Sequence, residues 1–309
     1  MSSILSIDDL KNAPTVATLR TTPKFRMKSL YCRLYRNRNL KFHKKQNPNT
    51  AMDLEFKDPF LLAKILEIAR KGNVADCLLV FNDKTISAQS MDSAHVSMIF
   101  FDLDVSEVCN KYEFKSDSPI SAGINVENYL KVMKLLKGKK NVTLGLSLKP
   151  NNMDVLSFSA KADKNVFNFD LRLMELDVEQ LQVPPYDDFA QLSFPIKEMS
   201  DLINPIDSDT MEVGISPDEP NVLLYKAESD TGTLFGKITD GEFMGRPQQI
   251  IHKVAMSYLK NYCGVPSDLA PKVNFLFQEG YPLFIKYQFG ENSQLQLYIA
   301  PKIDDEMET

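Results

Sequence analysis

From Met52 onward the chain alternates between two hydrophobic periodicities. Segments 77–82 (CLLVFN), 84–90 (KTISAQS), 95–103 (HVSMIFFDL), 141–148 (NVTLGLSL), 155–161 (VLSFSAK) and 166–173 (VFNFDLRL) read as short strands, several alternating apolar and polar residues as a half-buried sheet requires. Two stretches instead carry apolar residues at helical spacing. Asp58-Pro59 supplies a cap and a first helical residue for FLLAKILEIARK, which closes on Gly72 with Leu62, Ile65, Leu66 and Ala69 on one face. Asn125 precedes VENYLKVMKLLK, which stops at Gly138 and buries Val126, Tyr129, Leu130 and Met133.

The second half repeats this grammar. PIKEMSDLIN (195–204) predicts a short helix that ends before Pro205, and 247–264 (PQQIIHKVAMSYLKNYCG) predicts a longer one between Pro247 and Gly264. Strands are predicted at 211–216, 221–227, 233–239, 273–278, 283–289 and 294–300. Helix starts near 58 and 125 are answered near 195 and 247, so the expectation is an internal duplication of an α+β unit with two helices per copy. Pro184-Pro185 forbids a continuous helix between the halves, and 173–189 reads as an extended interdomain connector. The expected organisation is an extension over 1–51, one domain over 52–172, the connector, a second domain over 190–303 and an acidic tail over 304–309.

Charge changes this picture. Of 36 Lys/Arg and 41 Asp/Glu, eleven bases but only two acids (Asp8, Asp9) fall within residues 1–50, so a basic, low-periodicity arm precedes an acidic body. Within that body positive charge gathers on helix faces opposite the apolar ones: Lys64, Arg70 and Lys71 on the first helix, Lys131, Lys134 and Lys137 on the second, and Lys253 and Lys260 by helical phase on the fourth. The third helix breaks the pattern with Asp201 and Asn204, followed by Asp207, Ser208 and Asp209. Compensation for that gap falls to Arg33, Arg36, Arg38, Lys41, Lys44 and Lys45 of the arm; an import signal or a dispensable tail is the alternative role for the same segment.

Other chemistry is sparse. The four cysteines, Cys32, Cys77, Cys109 and Cys263, form no C-x-x-C pair, and a secretory signal and a long apolar span are both missing from the pattern. The sequon Asn141-Val142-Thr143 therefore carries little meaning, because its use needs a secretory route. The string Gly232-Thr-Leu-Phe-Gly236-Lys237 is too short for a phosphate loop, and His43, His95 and His252 stand in no hydrolase or metalloprotease motif. Asp102/Asp104 and Asp187/Asp188 read as solvated pairs rather than Mg²⁺ ligands. The expectation is a binding protein with no catalytic residue, metal or cofactor.

Three strings, AQSMDSAHVS (88–97), LMELDVEQLQVP (173–184) and LYIAPKID (297–304), resemble segments of the proliferating cell nuclear antigen family of sliding clamps in order and spacing. The likeness runs from about Met52 to Asp304. It implies a ring, usually of three two-domain subunits, with helices lining a hole for duplex DNA and sheets outside. It implies a nonenzymatic processivity factor that meets a polymerase and other replication or repair enzymes through short motifs, is opened by an ATP-dependent clamp loader, and works in the nucleus or another replication compartment. Carried onto this sequence, the family's phosphate-facing positions fall on Lys64, Arg70, Lys131 and Lys134. Its client groove falls on Met91, His95, Val96, Met98, Leu181, Val183, Pro184, Pro282, Tyr298, Ala300 and Pro301. Its subunit seam falls on Phe167, Phe169 and Leu171 at one edge and on Leu223 and Tyr225 at the other, with Asp207, Asp209, Lys139 and Lys140 nearby. The alternative reading is a clamp-fold accessory factor, monomeric or in a mixed ring, that holds DNA through its basic arm.

Overall fold

Four successive β-α-β-β-β units make up the described residues. The first comprises β1 (Met52–Phe56), α1 (Leu61–Lys71), β2 (Asp76–Phe81), β3 (Thr85–Met91) and β4 (Ser97–Asp104), followed by the single turn α2 (Val105–Val108) and β5 (Cys109–Phe114). The second comprises β6 (Ile120–Asn125), α3 (Val126–Lys134), β7 (Thr143–Lys149), β8 (Asn152–Ala162) and β9 (Asn165–Arg172). The third comprises β10 (Ala190–Pro195), α4 (Ile196–Ile203), β11 (Thr210–Ile215), β12 (Leu223–Ser229), β13 (Gly232–Ile238) and β14 (Glu242–Gly245). The fourth comprises β15 (Ile250–Ala255), α5 (Met256–Cys263), β16 (Lys272–Phe277), β17 (Leu283–Gln288) and β18 (Gln294–Ile299). This computed structural model describes residues 52–149, 151–176 and 189–302. The arm, most of the connector and the acidic tail lie outside the described residues.

Three antiparallel sheets result, ordered β5-β1-β7-β8-β9, β14-β10-β16-β17-β18-β4-β3-β2-β6 and β13-β12-β11-β15. The nine-stranded sheet joins a five-stranded half to a four-stranded half where β18 pairs with β4, Leu297 opposite Ile99 and Tyr298 opposite Met98. Its five-stranded half repeats the first sheet strand for strand, and its four-stranded half repeats the third. Consequently β9 corresponds to β18 and β13 to β4. Within the chain β18 and β4 are joined, whereas β9 and β13 end their sheets with free edges.

The long helices lie against one side of these sheets, where one core runs through Ile65, Leu66, Tyr129, Met133, Met199, Leu259 and Tyr262. α1 packs on α3, α4 on α5, and α1 meets α5 across the two halves. Helix limits follow local chemistry. The Asn125 side chain accepts from the Asn128 amide and starts α3 directly off β6. Pro195 turns β10 into α4 with a φ of −56°, close to the value its ring imposes. α1 starts at Leu61, three residues after Asp58, whose carboxylate accepts the Phe60 amide in a preceding turn.

The expected helix over 247–264 is corrected. Residues Ile250–Ala255 are strand β15, and only Met256–Cys263 are helical. Ile250, His252 and Val254 are buried alternately, and β-branched residues favour the extended conformation that helical phase counting ignores. Strands β1, β5, β6, β10 and β14, absent from the sequence pattern, complete the sheets.

Candidate nucleic-acid interface and docking surfaces

α1 and α3 lie side by side and, with the loop after α3, carry a cluster of exposed positive charge. Arg70, Lys71, Lys131, Lys134 and Lys137 are all exposed. Their anionic neighbours restrain some of them. Arg70 grips Glu67 through Nε and Nη2 at 3.0 and 2.6 Å, and Lys131 meets Glu127 at 3.0 Å one turn away. The Arg70 hydrogen bonds hold the Glu67 carboxyl below its usual range, and Lys131 does the same for Glu127. Such exposed pairs are screened by water, contribute little to stability and yield readily to a phosphate.

Lys64 is placed differently. Its ammonium sits between Asp58 at 3.0 Å and Asp268 at 2.6 Å and is only partly exposed. Burial opposes the charged form, but the two carboxylates outweigh it and raise the Lys64 pKa above its ordinary value. This lysine ties α1 to the loop after α5. Lys253 requires a correction: it lies on β15 opposite Glu212, not on a helix beside Lys260. The cationic face is therefore concentrated on α1 and α3. α4 exposes Glu198 and Asp201 with Lys197, while α5 contributes Lys260 at its last turn.

On the opposite face of the nine-stranded sheet a second apolar cluster forms. Met91, Met98, Tyr298, Phe284 and Leu276 are successive cross-strand partners on β3, β4, β18, β17 and β16, so their side chains form one row. Tyr298 stacks flat on Phe284 with ring centres 4.6 Å apart and donates to Gln296 Oε1 at 2.7 Å. Met91, Phe189 and Ala300 pack at the margins. His95 adopts a left-handed backbone (φ 56°) that brings Nδ1 to 2.9 Å from Met91 Sδ. Val96 joins the main core instead, and its carbonyl accepts the Ala300 amide. Pro282 is buried and Pro301 exposed. Leu181, Val183 and Pro184 lie outside the described residues.

A feature the sequence reading missed fixes this corner. Asp92, 1% exposed, accepts the Val96 and Ser97 amides on Oδ1 and the Tyr258 hydroxyl at 2.7 Å on Oδ2. Ser97 pairs with the Tyr262 hydroxyl, and Asn261 donates to the Lys71 carbonyl at 2.7 Å. The β3–β4 turn, the end of α1 and α5 are thereby bound together across the two halves. Nothing local marks Asp92 for this task, since its partner helix is distant in sequence.

The free edges carry apolar side chains. β9 exposes Val166 and Phe169, and Phe167, Phe169 and Leu171 share its helix-side face with Phe158. β13 exposes Leu234 and Phe235. Here too a prediction is corrected: Leu223 and Tyr225 belong to β12, one strand inside the edge, and Leu223 is fully buried. Strand order is nonlocal, so the alternation in NVLLYKA does not show that TLFGKIT lies outside it.

Strand order, repeated units and unpaired sheet edges together define an architecture, the DNA-clamp fold. A profile described as proliferating cell nuclear antigen, N-terminal domain, matches residues 51–181. The proliferating cell nuclear antigen of Chaetomium thermophilum is 25% identical over 255 residues, spanning 80% of this chain and 96% of that protein. Proliferating cell nuclear antigen 2 of Drosophila melanogaster is 23% identical over 257 residues, spanning 82% and 98% respectively. The crystal structure of the Entamoeba histolytica protein of the same name superimposes with a TM-score of 0.71 at 20% identity, covering 82% of this chain and all of that one. Over about four-fifths of its length the chain thus resembles clamps of the proliferating cell nuclear antigen type, a family of nonenzymatic scaffolds.

Proposed function

We propose that this chain is a processivity factor: three copies close head to tail around duplex DNA and tether a polymerase and other replication or repair enzymes. The observation that carries the reading is the pair of free edges. Each repeats an edge already joined inside the chain, so a second copy can extend the five-stranded sheet at β9 with the four-stranded sheet at β13 just as β18 meets β4. That contact is heterologous and propagates until the ring closes.

The helices of such a ring face inward, and Arg70, Lys71, Lys131 and Lys134 meet phosphates. Phosphate attraction positions a protein on DNA without reading bases, which suits a sliding contact. Outside the ring, the margin of the row centred on Tyr298 and Phe284, where Met91, Phe189 and Ala300 stay partly exposed, receives the apolar anchor of a client peptide, with Met91 as an adaptable wall. Tethering raises the polymerase's effective concentration at the primer end, so the clamp itself needs no chemistry. A separate ATP-driven loader opens the ring, the site of action is the nucleus or another replication compartment, and the basic arm adds phosphate contacts. Light scattering across a concentration series tests the assembly: three times the single-chain mass is expected at micromolar protein, and a single-chain mass throughout that range overturns it.

A further inference from the structure

The internal duplication also specifies what lies beside the joined strands on the helix side. Inside the chain, Lys64 of α1 binds Asp268 in the loop after α5. Lys64 stands twelve residues before the start of β2, and Glu198 of α4 stands twelve before the start of β11. Asp268 lies twelve residues beyond the first residue of α5, and Gly138 lies twelve beyond the first residue of α3. Gly138 takes φ +76° in its turn and is flanked by the exposed Lys137 and Lys139. The counterpart of the internal bridge therefore has its charges exchanged.

Three further observations place the two sides together. Lys139 Nζ lies 5.2 Å from the centre of the Phe167 ring, so the loop after α3 sits on the free edge β9. Pro195, Glu198, Leu202, Ile238, Thr239 and Asp240 line a hollow of about 420 Å³ between α4 and the end of β13, the other free edge. Its lysine, Lys237, is already bound to Glu219 at 2.6 Å, leaving Glu198 as an acid with room for a cation. Finally, Leu135 and Val265 occupy equivalent places, each nine residues past the first residue of its helix, yet Leu135 is 57% exposed and Val265 only 5%. Leu135 lacks the cover that the internal junction gives its counterpart.

We infer that the loop Leu135–Lys140 of one copy seats in the hollow beside α4 of the next, with Leu135 against its apolar wall and Lys137 and Lys139 on Glu198. This rests on the ring reading and adds a polar latch to each seam. The latch makes closure salt-sensitive, because exposed ion pairs weaken as the Debye length falls from about 10 Å at 0.1 M salt to about 3 Å at 1 M. It also explains an acidic third helix in a DNA-encircling protein: Glu198 serves the seam rather than the hole.

Charge exchange tests it in the full chain. Glu198→Lys alone, and Lys137→Glu with Lys139→Glu alone, each raise the protein concentration needed for ring mass by about tenfold or more at low salt. Combining all three substitutions restores it. Thermal melting of each variant checks that the single chain still folds, and Leu135→Asp supplies a second disruption without any lysine change. If wild type forms a trimer and the charge variants assemble as it does, or if the combined variant is no better than either parent, the latch is wrong while the ring stands. A wild type that stays single-chain at every salt concentration removes both.

Discussion

His252 shows how far one side chain can depart from its sequence-level reading. It is buried on β15, stacks on Phe277 at 5.8 Å and leaves Nε2 without a partner among the described residues. Burial pushes its pKa down from 6.5 to about 4. The folded state thus favours the neutral ring. Its contribution is complete above about pH 6.5 and is lost progressively as pH falls towards 4, amounting to roughly 3 kcal/mol. Urea unfolding of His252→Leu against wild type should show a shallower loss over that window, and identical pH slopes would contradict the burial argument. Lys64 carries the complementary lesson. Helical phase places it on the cationic face, but its carboxylate partner Asp268 is 204 positions away, and no local pattern announces that contact.

Elements were legible where one periodicity dominates. The strands at 77–82, 84–90, 155–161 and 273–278 follow from alternation, and α3 follows from its apolar spacing and the Asn125 cap. Segment 250–255 was not legible as a strand, because Ile250, Ile251 and Val254 satisfy a helical period as well as an alternating one and the helix that follows invites extension backwards. Neighbour order within a sheet is equally hidden, which is why the sequence points to β12 as the edge in place of β13. The corrected edge makes its own prediction. Leu234 is 44% exposed and Phe169 42%, and both reach across the proposed seam. Leu234→Asp or Phe169→Asp would bury a carboxylate there, at a cost of about 2–4 kcal/mol per junction. Sedimentation should then report single chains at micromolar concentration with an unchanged melting profile, whereas Tyr225→Phe on the inner strand should leave the assembly intact. Persistent trimers in both edge variants would remove β9 and β13 from the seam.

At the scale of the whole molecule, the proposed function depends on closure of the ring. The duplication, the clamp fold and its family were legible from the three strings and the repeating helix starts. The internal ties that stiffen each subunit, Asp92 with Tyr258 and Glu107 with Ser293, were not, since they join halves far apart in the chain. An acidic body with a basic inner face favours DNA in the hole over DNA elsewhere, and a grip made of phosphate contacts must weaken with salt. Threading is a different kind of attachment and persists when those contacts are screened. The direct measurement is retention of the loader-installed clamp on nicked circular plasmid and on the same plasmid linearised, in salt high enough to screen phosphate contacts but low enough to leave the ring closed. The account predicts long residence on the circle and rapid loss from the open ends of the linear molecule. Equal lifetimes on the two substrates would contradict encirclement.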